Sequence, residues 1–383
     1  MVLLFYSLNS YFRIVLDGQN DKQYNKMENK QLSIGKKVVT FGEVMLRLTT
    51  PGFKRFSQAG EFVATYGGSE ANVALSLAHF GVPTEFVTRL PDNAIARACI
   101  ASLRASGLGT EGIVFGGKRM GIYFLEPGAA FRNSNVVYDR EDSAFATLRP
   151  GMIDWERVFE GADWFHWSGI AAALSQEGAD ACREALEVAD RMGLTISCDL
   201  NFRKKLWNYG RTAAEVMMPL VQYSDVLFAA EPEYREIMGI QPVGFKATTA
   251  NDTSFETNLP AFEDFLRKVS GCVPRCRKVF LELRNSITSN HNLLAAVLLS
   301  DGHFYHTGIY DIEHEVDRVG AGDAFVGGLI YGLLAYPDDA QKGLDFALAA
   351  SALKNTVYGD FNQVTVEEVE SLMQGNTSGR VSR

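Results

Sequence analysis

Asp317-Arg318-Val319-Gly320-Ala321-Gly322-Asp323-Ala324-Phe325 is the stretch on which the reading of this chain turns. Beyond it, Phe325, Leu329, Ile330, Leu333 and Leu334 recur at helical spacing. Two glycines directly ahead of a helix let backbone N–H groups converge without obstruction by a Cβ. The helix N-terminus adds partial positive charge. Together these features make a cradle for an anion, with Asp323 at its mouth. A carboxylate so placed can take the proton of an attacking hydroxyl. The helix N-terminus is expected to lower its pKa and leave it a weak base. The same residues also read as a plain turn with Asp323 as a helix cap. A dinucleotide-binding fingerprint fits poorly, because GxGxxG needs a glycine where Phe325 stands and belongs after an early strand.

Working outward, apolar runs alternate with helical patterns. KVVTFGEVMLRL, from Lys37, reads as a buried strand broken at Gly42 and Glu43. EFVATYGG is a short strand. A helix is expected from Ser69 as N-cap to Phe80, closed by Gly81 and Pro83. A strand over 85–89 and a helix over 93–106 follow. This β-α-β-α alternation predicts a mainly parallel sheet covered on both faces, a three-layer α/β/α sandwich. RMGIYFLEPG and NSNVVYDRED break the rhythm, since they are strand-like with no helix between them. With 43–66, the segment 119–147 is expected to form a small antiparallel β-lid. Strands are then predicted at ADWFHWSG, LTISCDLN, SDVLFAAE and KVFLELR, with helices over 175–192, 210–222, 231–238 and 262–269. A loop is expected over 242–258. LLAAVLLSDGHFYHTG reads as a hairpin turning at Asp301-Gly302. Two helices, about 322–335 and 340–356, close the chain.

With 383 residues and 46% hydrophobic against 22% charged, the composition is that of a globular protein able to bury a full core. The net charge of −9 argues against broad nucleic-acid binding, which needs a basic face to displace counterions. Five scattered cysteines do not form a disulfide framework, and a reducing cytoplasm fits them. The apolar start, Met1 to Ile14, lacks a basic n-region and is too short and interrupted to span a bilayer. Residues 1–36 are expected to be a disordered extension, 37–372 one domain, and 373–383 a flexible tail.

DRVGAGDAFVGG closely resembles the C-terminal signature of the ribokinase-like (PfkB-type) sugar kinases, and Tyr66-Gly67-Gly68-Ser69-Glu70-Ala71-Asn72-Val73-Ala74 resembles that family's early Gly-Gly signature. Both stand in the family's order, and the resemblance runs from about residue 37 to 370. It implies a ribokinase-like sandwich with a β-lid, and transfer of a phosphoryl group from ATP to a sugar hydroxyl. Asp323 would be the base and Gly320, Ala321 and Gly322 the anion hole. Within the family, FGEVMLRL, GIYF, VVYDRE, DLNFRKKLW and KNTVYGDFN look like the 2-keto-3-deoxygluconate kinases. That likeness implies that Gly68 and Asn72 meet the sugar, and that Tyr123, Tyr138, Arg140 and Arg203 lie near its polar and carboxylate end. Arginine suits a sugar acid because it can grip a carboxylate with two parallel hydrogen bonds. A neutral sugar, fructose or ribose, is the alternative substrate, and a catalytically silent sugar-binding relative is another.

Asp199 and Asn201 end a strand, where open α/β sheets place ligands. The family's Asn-x-x-Glu, which organises Mg²⁺ and phosphate, reads Ala230-Glu231-Pro232-Glu233 here, so Glu233 keeps the acid and Ala230 replaces the Asn. Glu233 acts through water in this reading, or is only an acid favoured at a helix start. ATP is expected near Asn201, Arg284, Ser286, Asn355 and Asn362, with Lys354 flanking the last helix. The resemblance implies ATP and Mg²⁺ as cofactors and admits a monovalent cation. Lids in this family sometimes pair, so the apolar residues of 119–138 suit either a second copy or their own domain.

Overall fold

Val38–Phe41 (β1) is buried at all four positions, as a strand covered on both faces of a parallel sheet must be. It is the hinge of the topology in a computed structural model that describes residues 34–377. The chain continues through Met45–Thr49 (β2), Val63–Gly67 (β3), Thr84–Val87 (β4), Arg89–Leu90 (β5), Val114–Phe115 (β6), Ile122–Glu126 (β7) and Asn135–Asp139 (β8). Trp164–Ser168 (β9), Thr195–Asp199 (β10), Val226–Ala229 (β11), Lys278–Thr288 (β12), His291–Ser300 (β13), His303–His306 (β14) and Tyr310–Ile312 (β15) complete the strands.

The main sheet has the order β14-β13-β12-β11-β10-β9-β1-β4, with β15 pairing to β13. From β4 to β12 every pairing is parallel, and β13 with its partners is antiparallel. The strand order reverses beside β1: β4 lies on one side of it and β9 to β12 on the other. Open sheets bind ligands at such a switch point, beyond the carboxyl ends of the strands.

Each face of the sheet carries its own apolar cluster. On one, Phe165, Trp167, Ile196, Cys198 and Leu227 pack with residues of helices Gln176–Arg191, Ala213–Val221 and Ser254–Cys272. On the other, Val38, Trp164, Val226 and Phe280 pack with helices Ser69–His79, Ala321–Ala335 and Ala340–Lys354. This is the expected three-layer sandwich. The second sheet, β3-β2-β7-β8, is the expected lid, but it is mixed rather than antiparallel. β2–β3 and β7–β8 are separate antiparallel pairs joined edge to edge through their first strands, and β2 and β7 run parallel. Phe62, Val63, Val137 and Tyr138 are exposed on it.

Four local expectations change. Ser69 is the first residue of its helix and Gly68 takes the cap position, which frees the Ser69 hydroxyl for the site. Helix Ser254–Cys272 begins inside the expected loop over 242–258 and runs through Pro260, because Phe255, Phe262, Phe265, Leu266 and Val269 bury one continuous face. A further helix, Val366–Met373, follows a capping box between Thr365 and Glu368. Ile34 is buried and both Lys36 and Lys37 bond Asp163, so ordered chain begins before Lys37. The rest of the expected extension, 1–33, and the end of the expected tail, 378–383, lie outside the described residues. All five cysteines are free. Among the described residues no helix is long and apolar enough to cross a membrane.

Candidate active site

The carboxyl ends of β1, β9, β10, β11 and β12 open into a cavity of about 540 Å³ that the lid borders on one side. Gly68, Asn72, Tyr123, Tyr138, Arg140, Asn201, Arg203, Glu233, Arg284, Gly320, Gly322 and Asp323 all line it. Residues from the two ends of the sequence meet here because helices Ser69–His79 and Ala321–Ala335 pack side by side.

Gly320 has φ 83°, the left-handed conformation, and caps helix Ala321–Ala335. A Cβ there would stand 2.1 Å from the carbonyl oxygen of Asp360, so only glycine makes this turn. The amide of Ala321 is taken by Arg318 and that of Ala324 by Gly320. Those of Gly322 and Asp323 have no acceptor among the described residues, so two N–H groups and the helix dipole face the cavity. Gly68 is fixed by a similar constraint, since a Cβ would fall 1.9 Å from the carbonyl oxygen of Glu43.

Asp323 is held by neutral donors. Ser69 Oγ donates to its Oδ1 at 2.7 Å and Asn72 Nδ2 to its Oδ2 at 2.6 Å. Asn201 Nδ2 donates to Ser69 Oγ at 2.8 Å, which orients that hydroxyl toward Asp323. Burial pushes the Asp323 carboxyl up, against the pull of those two hydrogen bonds. The expected lowering by the helix N-terminus is therefore overturned: loss of water outweighs the dipole and makes Asp323 a stronger base than a free aspartate.

Carboxylates crowd this floor. Burial raises Asp199 far above its usual range, and the charges of Glu233 and Asp323 raise it further. Glu233 is also raised by burial, while Arg203, 3.3 Å away, pulls it back. Glu70, from the Gly-Gly segment, is wholly buried and pushed up to about 7, with Ser168 donating to it at 2.6 Å. Glu233 Oε2 accepts the amide of Ala230 at 2.9 Å. Ala230 has no side-chain acceptor to offer its helix in return. Glu233 thus caps a helix and lines the cavity at once. No cluster of three metal-ligating side chains occurs among the described residues. Two mutually repelling carboxylates beside free cavity space still fit Mg²⁺, which binds through few carboxylates and keeps several waters.

At the other end Arg284 and Arg318 are close enough for their charges to repel, and burial with that repulsion lowers Arg318. Lys204 and Lys205 line the same cavity. These cations suit a polyphosphate. The sequence reading passed over Arg318, whose place in the glycine-rich segment was the signal for it.

Several expected contacts are differently employed. Arg140 is buried and pairs with Glu43 through Nη2, and its buried Nε has no partner. Tyr123 gives its hydroxyl to Asp360 at 2.5 Å, so it braces the lid. Tyr138 is exposed, with its ring 5.9 Å from that of Tyr123 and Arg140 over its face. Ala321 is buried behind the turn. Ser286 donates to Asn292 and accepts from Arg318 at the rim, outside the cavity wall. Asn355 and Asn362 are buried away from the cavity. Asn355 holds its own helix end and accepts the amides of Val316 and Asp317. Asn362 caps Val364, and its carbonyl oxygen meets His79. Polar residues after a helix are as often its locks as a ligand's, and sequence does not separate the two.

Beneath the lid lies a network that sequence did not reveal. Arg47, on β2, is buried and pairs with both Asp317 and Asp360. Its only sequence sign was a charge within an apolar strand.

The model of the pfkB family carbohydrate kinases matches residues 35–254 and 294–365. A solved 2-dehydro-3-deoxygluconokinase from Thermotoga maritima is 43% identical, with a TM-score of 0.82 over 89% of this chain and 100% of that one. The 2-dehydro-3-deoxygalactonokinase of Haloferax volcanii is 33% identical over 347 residues, covering 89% of this chain and 98% of that protein. A putative ribokinase II from E. coli in complex with ATP and Mg²⁺ shares the fold at 22% identity and a TM-score of 0.71, over 89% of this chain and 99% of that one.

Proposed function

The chain belongs to the pfkB family of carbohydrate kinases, and from that premise we propose that it phosphorylates 2-keto-3-deoxygluconate (2-dehydro-3-deoxygluconate) on its C6 hydroxyl, giving 2-keto-3-deoxy-6-phosphogluconate. The observation that carries this reading is the Asp323 carboxylate, held by Ser69 and Asn72 beside two unpaired amides at a helix start. Kinases of this family use ATP with Mg²⁺.

The C6 oxygen attacks the γ-phosphorus of ATP and Asp323 takes its proton. The bond from the γ-phosphorus to the bridging oxygen breaks, and ADP leaves with the electron pair. Little covalent work falls to the protein; positioning and charge stabilisation do most of it. The amides of Gly322 and Asp323 face the phosphoryl group in flight. Arg284, Arg318 and Lys204 hold the remaining phosphates. Glu233 and Asp199 would hold Mg²⁺, which supplies neutralisation of phosphate charge. A base raised by burial draws the proton more strongly once its own proton is gone.

Two observations support an acid substrate. Arg203 lines the cavity and stays half exposed, and Arg140 lines it while pinned by Glu43. The two most similar kinases above are named for 2-dehydro-3-deoxy sugar acids. Turnover measured side by side on 2-keto-3-deoxygluconate, its galacto epimer, fructose and ribose tests the proposal. We expect the keto acids to give kcat/KM at least about tenfold above the neutral sugars, the discrimination that one unpaired buried polar group imposes. Turnover of fructose without the keto acid would overturn it.

A further inference from the structure

Lys354 is the last residue of helix Ala340–Lys354, and its side chain is wholly buried. Its Nζ donates to the carbonyl oxygen of Asp317 at 3.0 Å and to that of Val357 at 3.2 Å. Those carbonyls belong to two different loops. The first leads into the Gly320 turn. The second runs to Asp360, whose carbonyl oxygen presses on Gly320. The same second loop donates the Gly359 amide to Asp317 at 3.1 Å. The ammonium thus ties together the two segments that shape the anion hole.

A buried ammonium costs several kcal/mol in lost hydration, so it persists only with compensation. Here the compensation is backbone carbonyls, the end of a helix whose dipole favours a cation, and the nearby carboxylates of Asp317 and Asp360. Burial still draws the lysine below its ordinary range. A partly or wholly dehydrated monovalent ion would ask for the same surroundings: inward-facing carbonyls with a net negative neighbourhood. In this chain Lys354 already takes those carbonyls, and Arg47 takes the carboxylates.

We propose that the Lys354 ammonium is a built-in cation: it holds the Asp317–Gly320 and Val357–Asp360 loops in register and makes the anion hole independent of any monovalent ion. Lys354 is a positioning residue that acts through the Gly320 turn. The inference rests on the kinase reading, and its test separates the two.

Turnover and melting temperature of the intact protein are measured in the chlorides of K⁺, Na⁺, NH₄⁺ and tetramethylammonium at equal ionic strength. The expected result is a kcat equal within about twofold in all four, and melting temperatures equal within about 1 °C, because an occupied carbonyl pair leaves no differential affinity to exploit. Stimulation of about tenfold or more by K⁺ or NH₄⁺ overturns the inference, and so does a rise in melting temperature specific to either ion. The melting series decides even if none of the sugars turns over, an outcome that counts against the kinase reading alone.

Lys354→Met is the second arm. It should lower kcat by about tenfold or more, the scale at which small misplacements of a catalytic group are felt, with KM for the sugar little changed. K⁺ or NH₄⁺, but not tetramethylammonium, should restore part of the loss. An unchanged kcat overturns the positioning role. If Lys354→Met does not fold, the wild-type series decides alone.

Discussion

Asp317 and Asp323 stand at the two ends of one glycine-rich segment, and the fold treats their charges in opposite ways. Asp317 meets fixed cations and amides: Arg47, the Gly359 N–H and the Val319 N–H, with Lys354 on its own carbonyl oxygen. Asp323 meets neutral donors, Ser69 and Asn72, and shares its floor with Asp199 and Glu233. A carboxylate neutralised by its own chain is finished chemically; it holds loops together. A carboxylate stripped of water and held by neutral hydrogen-bond donors is raised in pKa. The difference separates a carboxylate that holds loops together from the one proposed here as the base.

The sharpest way to break this contrast is to exchange the carboxylate at the chemical end. Asp323→Asn should lower kcat by about 10³-fold, the usual worth of a positioned general base, with little change in affinity for a non-hydrolysable ATP analogue. Steady-state kinetics with a binding titration checks it, and near-normal kcat would remove Asp323 from its role.

At the structural end the loss should appear in stability. Arg47→Met leaves Asp317 and Asp360 buried without their shared cation and should cost about 3–5 kcal/mol. Urea unfolding reads this directly. A change below about 1 kcal/mol would mean that the network is dispensable and that Asp317 is no better neutralised than Asp323.

Glu233→Gln tests whether the carboxylate floor waits for a divalent cation. The half-saturating Mg²⁺ concentration for turnover should rise about 10-fold to 100-fold, the typical cost of a lost metal-binding partner. If Mg²⁺ dependence stays the same while the melting temperature falls, Glu233 is only the cap of helix Glu231–Met238.

The smallest effect is a slope. Burial raises the Glu70 carboxyl from its ordinary value near 4.5 to about 7 in the folded protein. Between those values the folded chain holds a proton that the unfolded chain has released. Stability should therefore fall as pH rises through that window, by about 1 kcal/mol per pH unit, and level off above it. Glu70→Gln should flatten the slope in unfolding experiments between pH 4.5 and 7. An unchanged slope would place the titration elsewhere.

Much of the fold was legible because its signals are local. The buried run at Val38–Phe41, the helix expected over 93–106, the Asp301-Gly302 turn and the strand-helix alternation each depend on neighbours in sequence. Helix Ser254–Cys272 is longer than its sequence suggests, because Pro260 and a run of Thr and Asn argue against a helix locally whereas its buried aromatic face decides for one. At the site, Asp323, Asn72, Gly68, Arg203 and Glu233 are named by motifs in the sequence, and all five line the cavity. Asn355 and Asn362 lie buried outside the cavity wall, and an amide near a helix end looks the same in sequence whether it grips a ligand or its own backbone. Arg47, Asp317, Asp360 and Lys354 join chain segments far apart in sequence, and no local pattern announces such a meeting.

The sequence by itself determined the layered α/β architecture, the lid, the glycine turn and the acid that follows it, since each is written in short-range periodicity or in the steric freedom of glycine. Only the tertiary structure decided how that acid behaves. Burial, with the charge of Asp360, reverses the helix-dipole expectation, because desolvation is set by everything packed around a charge rather than by its own helix. It also decided that Arg140 and Tyr123 are spent on Glu43 and Asp360, and that Lys354 joins the carbonyl oxygens of Asp317 and Val357.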